Sequence, residues 1–293
     1  MKMSKTAGKK YMENMPKITD LPISPVRIST MTITANWTTG IDLSQLFEQL
    51  KEFIIPICYP TEGILKYEHG GKSIGASYKD LFTRKKITSK SFFNQSTIIL
   101  RRLVDKDRNI WKEMNIKLFA NGGIQMTGIP SEEFALNGIH WLFEFFKSLP
   151  VSPFKEPEKA VISKFNTPLI NTDFCIYGYD IHQENIHKIF INNYNIMSML
   201  EKTIYQGVNA KYFLNKSNTE RGICTCETFC KGQGNGMGEG ECKRITMSIF
   251  RTGKIIITGA RNMDQIRETY EFLIDVIKTH SAEILVNQLE INK

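Results

Sequence analysis

Hydrophobic and polar residues alternate along NIKLFANGGIQMTG, residues 115–128, in the way that two short strands joined by a glycine turn require. Four apolar side chains fall on one face of this predicted hairpin: Ile116, Leu118, Ile124 and Met126. Phe119 breaks the pattern, because it places a large aromatic ring on the polar face. One such residue indicates little, since more than half of a folded surface is apolar. Its meaning depends on whether the pattern recurs.

The hairpin does recur, in TMSIFRTGKIIITG at residues 246–259, which aligns with the first copy without a gap. Five residues are identical in the two copies: Phe119/Phe250, Gly122/Gly253, Ile124/Ile255, Thr127/Thr258 and Gly128/Gly259. The second copy also places its phenylalanine on the polar face. A repeated exception of this kind indicates an internal duplication rather than a chance exposure.

Amphipathic helices follow both hairpins, and Ser131 and Asn262 are the residues expected to cap them. Corresponding opening strands and helices precede the hairpins in each half: 27–33 and 42–54 in the first, 169–176 and 184–197 in the second. Each half therefore has the order strand, helix, several strands, helix. This order predicts an α+β fold in which a curved antiparallel sheet carries helices on its convex face.

The duplication divides the chain into two repeats and three flanking segments. We expect a flexible basic tail at 1–22, a first repeat at 23–150, a linker at 151–164, a second repeat at 165–281 with a Cys/Gly-rich insertion at 216–243, and a C-terminal tail at 282–293.

The motifs of both hairpins resemble one protein family. SIFRTGKIIITGA (248–260) is similar to the IF-x-SGK-x-x-x-TGA signature of the TATA-binding proteins, KLFANGGIQMTGI (117–129) matches it more loosely, and IYQGV (204–208) resembles the family's LFPGL. The resemblance covers roughly residues 23–281 and is greatest to the divergent versions carried by large cytoplasmic DNA viruses. It implies two pseudosymmetric repeats that form a saddle over the minor groove of DNA.

The resemblance also gives the polar-face phenylalanines a role. In the family, an aromatic pair in each half wedges between base steps and kinks the duplex, and the unstacking is offset by contacts that the bend permits. Phe119 and Phe250 match one wedge position in each half. Tyr205 matches the second wedge of the C-terminal half, and Phe93, with Phe92 as an alternative, matches its N-terminal counterpart.

Further positions match the family's groove and phosphate contacts. The expected groove-facing residues are Gln125, Thr127, Ile256 and Thr258, and the expected phosphate contacts are Lys211 and Lys254, with Arg101 as a first-half counterpart of Lys211. Threonine hydroxyls can donate to minor-groove acceptors.

Four positions depart from the family pattern, one of which is Gln125, where the family has an apolar groove-facing residue. Gly123 replaces a phosphate-contacting lysine, and Arg27 and Leu169 stand where the family has the asparagines that read the centre of its site. The resemblance therefore implies the saddle more firmly than it implies a TATA preference.

Charge and targeting signals fit this picture. The 293 residues carry a formal net charge of +8 and a sequence pI near 9.0, which favours a polyanionic partner. Neither a secretory signal nor an apolar run of ~18 residues occurs in the sequence. We expect an intracellular protein, located in the host cytoplasm (virus factory) and the virion if it is viral, and otherwise in the nucleus.

The Cys/Gly-rich insertion contains the remaining candidate chemistry. Its four cysteines, Cys224, Cys226, Cys230 and Cys242, lie within nineteen residues and could bind a structural Zn²⁺ ion. Their C-x-C-x3-C spacing differs from the common C-x2-C knuckle, so free or redox-sensitive thiols remain an alternative. Cys58 and Cys175 are expected to be small buried residues.

No enzyme motif is complete. HGGKS (69–73) lacks the first glycine of a phosphate-binding loop, because position 66 is a lysine. We therefore expect a transcription initiation factor that binds and bends promoter DNA through the A/T-rich minor groove. Its expected partners are double-stranded DNA, a B-class general transcription factor or viral equivalent, and RNA polymerase. The alternative is a saddle-shaped adaptor of a transcription complex with weak or no specific DNA binding.

Overall fold

The computed structural model describes residues 21–82 and 93–288. These residues form two compact units: residues 30–168 make up the first, and residues 21–29 together with 169–288 make up the second. No helix in the described ranges is long and apolar enough to cross a lipid bilayer.

The first unit is a six-stranded antiparallel sheet with two α-helices. Its elements are β1 (Arg27–Trp37), whose first three residues belong to the second unit, α1 (Leu43–Leu50), β2 (Gly63–His69), β3 (Lys72–Gly75), β4 (Gln95–Asp105), β5 (Ile110–Phe119), β6 (Gly123–Thr127) and α2 (Glu132–Lys147). The strand order is β3-β2-β4-β5-β6-β1, so the last hairpin lies beside the opening strand. A 3-10 turn at Tyr78–Leu81 follows β3.

The second unit contains a five-stranded antiparallel sheet. Its elements are β7 (Ile162–Cys175), β8 (Tyr179–Ile181), α3 (Gln183–Tyr194), β9 (Met197–Met199), β10 (Val208–Leu214), β11 (Lys243–Ile249), β12 (Lys254–Ala260), α4 (Met263–Thr279), α5 (Ser281–Ile284) and β13 (Leu285–Asn287). The order β7-β12-β11-β10-β9 again places the last hairpin beside the opening strand, and β8 pairs with β13 separately. The predicted α+β class with antiparallel strand pairing is confirmed.

The register of both hairpins places apolar residues directly opposite apolar residues on the neighbouring strand. Ile116 is opposite Met126 in the first hairpin, and Met247 is opposite Ile257 in the second. All four side chains are fully buried beneath the helices. Because side chains alternate along a strand, this register leaves the intervening polar residues and the two phenylalanines on the opposite face.

The helices begin at the predicted caps. The Ser131 hydroxyl accepts a hydrogen bond from the backbone N–H of Phe134 at 3.2 Å. The side-chain oxygen of Asn262 (Oδ1) accepts one from the backbone N–H of Gln265 at 3.0 Å. Each bond satisfies one of the unpaired N–H groups at a helix start. The apolar stripes of α3 and α4 then bury a continuous core that includes Phe190, Ile266, Leu273, Ile274 and Ile277.

One glycine in each hairpin turn permits the chain to pass close to the opening strand. Gly122 and Gly253 have φ values of +86° and +77°. A Cβ atom on Gly122 would lie 2.3 Å from the carbonyl oxygen of Trp37, and one on Gly253 would lie 2.3 Å from that of Ile176. The glycine carbonyls accept the N–H groups of Trp37 at 2.8 Å and Ile176 at 3.0 Å. The shared glycines therefore fix both turns against their opening strands.

Candidate nucleic-acid interface

In each unit, one face of the hairpin strands packs under the helices, and we call the opposite side the open face. In the first unit its residues are Lys117, Phe119, Gln125 and Thr127. In the second they are Lys211, Thr246, Phe250, Lys254, Ile256 and Thr258. Phe250 directly follows β11 and begins the turn. The open faces thus contain most of the residues that the resemblance implied for DNA contact.

Hydroxyl groups and cations lie side by side on the open face of the second unit. Thr246 is directly opposite Thr258 across β11 and β12. The Lys211 ammonium donates to the Thr246 hydroxyl at 3.0 Å. Burial lowers the pKa of Lys211, and the positive charge of Arg244 acts in the same direction. This surface presents hydrogen-bond donors next to the apolar side chain of Ile256.

Two aromatic rings meet at the turn end of this surface. Tyr205 lies in the β9–β10 loop, and its ring centroid is 5.5 Å from that of Phe250 in an edge-to-face arrangement. Gly207 leaves room for the contact, because a Cβ atom there would come within 2.9 Å of the Tyr205 ring and 3.2 Å of the Phe250 ring. Tyr205 is exposed and Phe250 is half-buried. Two residues 45 positions apart therefore form one aromatic pair at the end of the open face.

The aromatic residues of the first unit are arranged differently. Phe93 is 73% exposed and lies beside Gly70, whereas Phe119 is half-buried opposite Gln95. Among the described residues no ring contact joins Phe93 to Phe119. Phe92 lies outside the described residues. Among the residues that the structure describes, only the second unit has its candidate wedge rings in contact.

A carboxylate also lies on the open face of the second unit, where sequence reasoning did not place one. Asp173 is directly opposite Ile256 and only 5% exposed. Arg27 forms a bidentate ion pair with it through Nε and Nη2. The Lys254 ammonium is 3.9 Å from the same carboxylate. The pairing matters because an unpaired carboxylate at this position would repel a polyanion.

The proposed role of Arg101 as a phosphate contact is wrong. Its guanidinium is buried and donates to the backbone carbonyls of Ile57 at 2.8 Å, Thr61 at 2.9 Å and Tyr59. It also lies 5.7 Å from the Trp111 ring centroid. Burial lowers the pKa of Arg101. These bonds hold the 57–61 loop to β4, so the side chain is not available to DNA.

The four cysteines of the insertion meet at one point. The Sγ atoms of Cys224, Cys226, Cys230 and Cys242 all lie within 4.8 Å of one another, and those of Cys226 and Cys242 are 3.6 Å apart. Four thiolates bound to zinc at about 2.3 Å in a tetrahedron would be separated by roughly 3.8 Å. The cluster could therefore hold a metal ion with small adjustments.

The remaining two cysteines differ from expectation. Cys58 is exposed in the loop that Arg101 holds, and Cys175 is half-buried at the end of β7. The prediction that both are buried is wrong for Cys58, because it lies in a surface loop between α1 and β2 rather than in a regular element. Neither joins the four-cysteine cluster.

Comparisons with known proteins agree with the motifs. The family described as "Transcription factor TFIID (or TATA-binding protein, TBP)" matches residues 240–280, which contain the second hairpin and α4. A "TATA-box-binding protein-like" protein of Acanthamoeba polyphaga mimivirus is 26% identical over 301 aligned positions, covering 98% of this chain and 73% of the relative. The predicted resemblance to the TATA-binding protein family is confirmed.

A solved structure from this family is also similar. Methanococcus jannaschii TBP matches with a TM-score of 0.45 and 12% sequence identity, covering 87% of this chain and 98% of the archaeal one. The segment that matches the TATA-binding protein family model includes Phe250, Lys254, Ile256 and Thr258 of the open face. It also includes Cys242, the last residue of the cysteine cluster.

Proposed function

We propose that this protein is a transcription initiation factor that binds promoter DNA through the minor groove, bends it, and recruits the transcription machinery. Family resemblance supports a transcription-related DNA-binding role. The proposed partners are double-stranded A/T-rich DNA, a B-class general transcription factor or its viral equivalent, and RNA polymerase. The proposal is for a binding protein rather than an enzyme.

The aromatic pair formed by Tyr205 and Phe250 is the observation that carries the proposal. Two rings that meet at the end of a polar sheet surface, with one of them exposed, gain little from folding alone. Insertion between base pairs would bury both rings and kink the duplex. Behind the pair, Thr258 and Ile256 offer a hydroxyl and an apolar surface to the floor of the minor groove.

An adaptor of a transcription complex, with weak or no specific DNA binding, remains the second candidate. Asp173 on the open face favours it, as do the absence of a lysine at Gly123 and the leucine at position 169. The ion pairs with Arg27 and Lys254 weaken the argument from Asp173, because they neutralise its carboxylate and so reduce its repulsion of DNA.

Binding to A/T-rich and G/C-rich duplexes at several salt concentrations distinguishes the two candidates. The initiation-factor proposal predicts tighter binding to the A/T-rich duplex and a steep dependence on salt. Lys254→Ala should weaken binding to both duplexes and lower the slope of log K against log salt by about one, because one phosphate contact is lost. Lys188→Ala is the matched control, since it removes the same charge from an exposed position on α3. Equal slopes for the wild type and Lys254→Ala would contradict this assignment.

We also propose that the four-cysteine cluster binds one structural Zn²⁺ ion. The insertion around it contains no helix or strand, apart from an isolated bridge between Gln233 and Lys243. A segment so rich in glycine buries little apolar surface, and a metal would compensate for the missing core. Cys242, which is fully buried, would be the inner ligand, and Cys224, Cys226 and Cys230 would complete the tetrahedron.

Protein purified without chelator is expected to contain one zinc ion per chain by elemental analysis. Replacing Cys226 and Cys242 together with serine should reduce the metal content to near zero, because two thiolates cannot retain the ion in a site that needs four. Replacing Cys58 and Cys175 with serine should leave it unchanged, since neither belongs to the cluster. Wild-type protein without metal, or full metal content in the first variant, would refute the zinc site.

A further inference from the structure

An apolar cavity of about 310 Å³ lies in the first unit, between the sheet, the loop that follows α1 and the 3-10 turn that follows β3. Most of its wall consists of apolar side chains, namely Ile57, Pro60, Tyr78, Leu81 and Trp111. Its volume is at the lower end of the ~300–1,000 Å³ range that is typical of ligand sites. A cavity of this size suits a single ring system.

Hydrogen bonds hold both covering segments to the sheet. Trp111 and Glu113 share one face of β5 with Phe119, because side chains alternate along a strand. The Arg101 guanidinium fixes the loop after α1 through its three carbonyl contacts. The backbone N–H of Tyr78 donates to Oε1 of Glu113 at 2.7 Å and fixes the turn. The cavity is therefore formed before any ligand arrives.

Glu113 brings a carboxylate to this apolar site. Among the residues that the structure describes, the backbone N–H of Tyr78 is the only hydrogen-bond donor to that carboxylate. Burial raises the pKa of Glu113. A half-buried acceptor with so few donors gains from a further one, because hydrogen bonds that are left unmade away from water cost free energy.

The charges near Glu113 favour a neutral donor over a cationic one. Arg101 lies directly opposite Glu113 across β4 and β5. The positive charges of Arg101 and Lys66 both act on the carboxylate. An added ammonium or guanidinium group would be repelled by these two cations. The group that best complements the cavity is therefore an aromatic ring with a neutral N–H or O–H donor.

Exposed apolar side chains adjoin the cavity wall. Tyr59, Leu81 and Phe82 are 63%, 60% and 81% exposed. The Phe82 ring centroid is 6.2 Å from that of the wall residue Tyr78. Apolar side chains grouped around a pocket are typical of protein interfaces, in which one aromatic residue enters the pocket and its neighbours cover the rim. An apolar rim is a poor match for the phosphate of a nucleotide.

We propose that this cavity binds a tryptophan side chain of a partner protein. The indole N–H would donate to Glu113, and residues beside the tryptophan would cover Tyr59, Leu81 and Phe82. Tryptophan combines a large apolar ring with one neutral donor, and it is enriched among the residues that dominate protein interfaces. The site shares no residue with the surface proposed to contact DNA, and it does not rest on DNA binding.

The test uses Cys58, which is exposed and borders the cavity, as a reporter in the full chain. Indole should slow the alkylation of Cys58 by iodoacetamide several-fold, whereas Cys175 should react at an unchanged rate, as measured by mass spectrometry of the peptides. The analogue 1-methylindole keeps the rings but lacks the donor, so it should bind about tenfold more weakly. The peptide N-acetyl-Leu-Trp-Leu-amide should bind more tightly than indole, because its leucines cover the rim.

Two variants and two contrary results complete the test. Leu81→Arg should abolish the protection by indole, and Leu136→Arg is the matched control, since it makes the same change at an exposed position on α2. Glu113→Met should make indole and 1-methylindole bind equally. Absence of protection by indole, or equal binding of the two compounds to the wild type, would refute the site. If adenosine binds more tightly than the peptide, the cavity holds a nucleoside and the assignment to a protein partner is wrong.

Discussion

Replacing Phe250 with alanine is expected to reduce the DNA bend angle by roughly half while leaving the salt dependence of binding unchanged. The phenylalanine would supply the kink in the second unit, whereas phosphate contacts supply the salt-dependent attraction. Its partner Tyr205, 5.5 Å away, would lose the ring against which it packs. The loss should therefore exceed that for Phe119→Ala, because Phe119 makes no ring contact with Phe93, the described candidate for its partner. Fluorescence energy transfer across an A/T-rich duplex measures the angle.

Phe229→Ala is the matched control for this prediction. Phe229 is 85% exposed in the cysteine insertion and belongs to neither aromatic set. Its replacement removes the same ring and should leave the bend unchanged. If Phe250→Ala binds and bends DNA as the wild type does, Phe250 is not a wedge and the adaptor interpretation gains support.

Gly253→Ala is expected to lower the free energy of unfolding by about 3–5 kcal/mol, because it combines a strained backbone with a steric clash. Its φ of +77° disfavours any residue with a Cβ, and that Cβ would lie 2.3 Å from the carbonyl oxygen of Ile176. The turn would have to move away from β7, and Phe250 would move with it. Urea unfolding followed by far-ultraviolet circular dichroism measures the loss.

Gly178→Ala separates the two contributions. Gly178 has the same φ of +77°, but no atom lies within 4 Å of the position that its Cβ would occupy. Its replacement should cost only about 1 kcal/mol, the backbone part of the effect. Equal losses for the two variants would mean that the close approach to Ile176 contributes nothing to stability.

Local patterns in the sequence predicted the repeated elements well. Alternation identified both hairpins, and the capping residues Ser131 and Asn262 begin α2 and α4 as expected. These features depend on neighbours within a few residues, which the sequence displays directly. The HGGKS segment, which failed as a phosphate-binding loop, proves to be the turn between β2 and β3.

Contacts between distant residues were not predictable in the same way. Arg27 and Asp173 are 146 positions apart, and their pairing depends on a register that no local pattern reveals. Arg101 shows that a match to a family position can also mislead. The match implied a phosphate contact, whereas the guanidinium donates to three backbone carbonyls and holds a loop. One signal was available for Asp173: a charged residue in the alternating strand INTDFCI must lie on the same face as Asn171.

The candidate site combines both kinds of information. Sequence motifs indicated Tyr205 and Phe250 separately, and the fold places their rings in contact. The four cysteines were likewise grouped by sequence, but their spacing left free thiols as an alternative. The contact between Gly232 and Arg244 could not be predicted, because it depends on how the insertion folds back onto β11.

The bend angle of an A/T-rich duplex bound by the wild-type chain decides whether this protein bends DNA through the minor groove. Energy transfer between dyes at the two duplex ends should increase on binding, and the increase should be smaller for a G/C-rich duplex of equal length. Binding that leaves the transfer efficiency of both duplexes unchanged would contradict minor-groove bending.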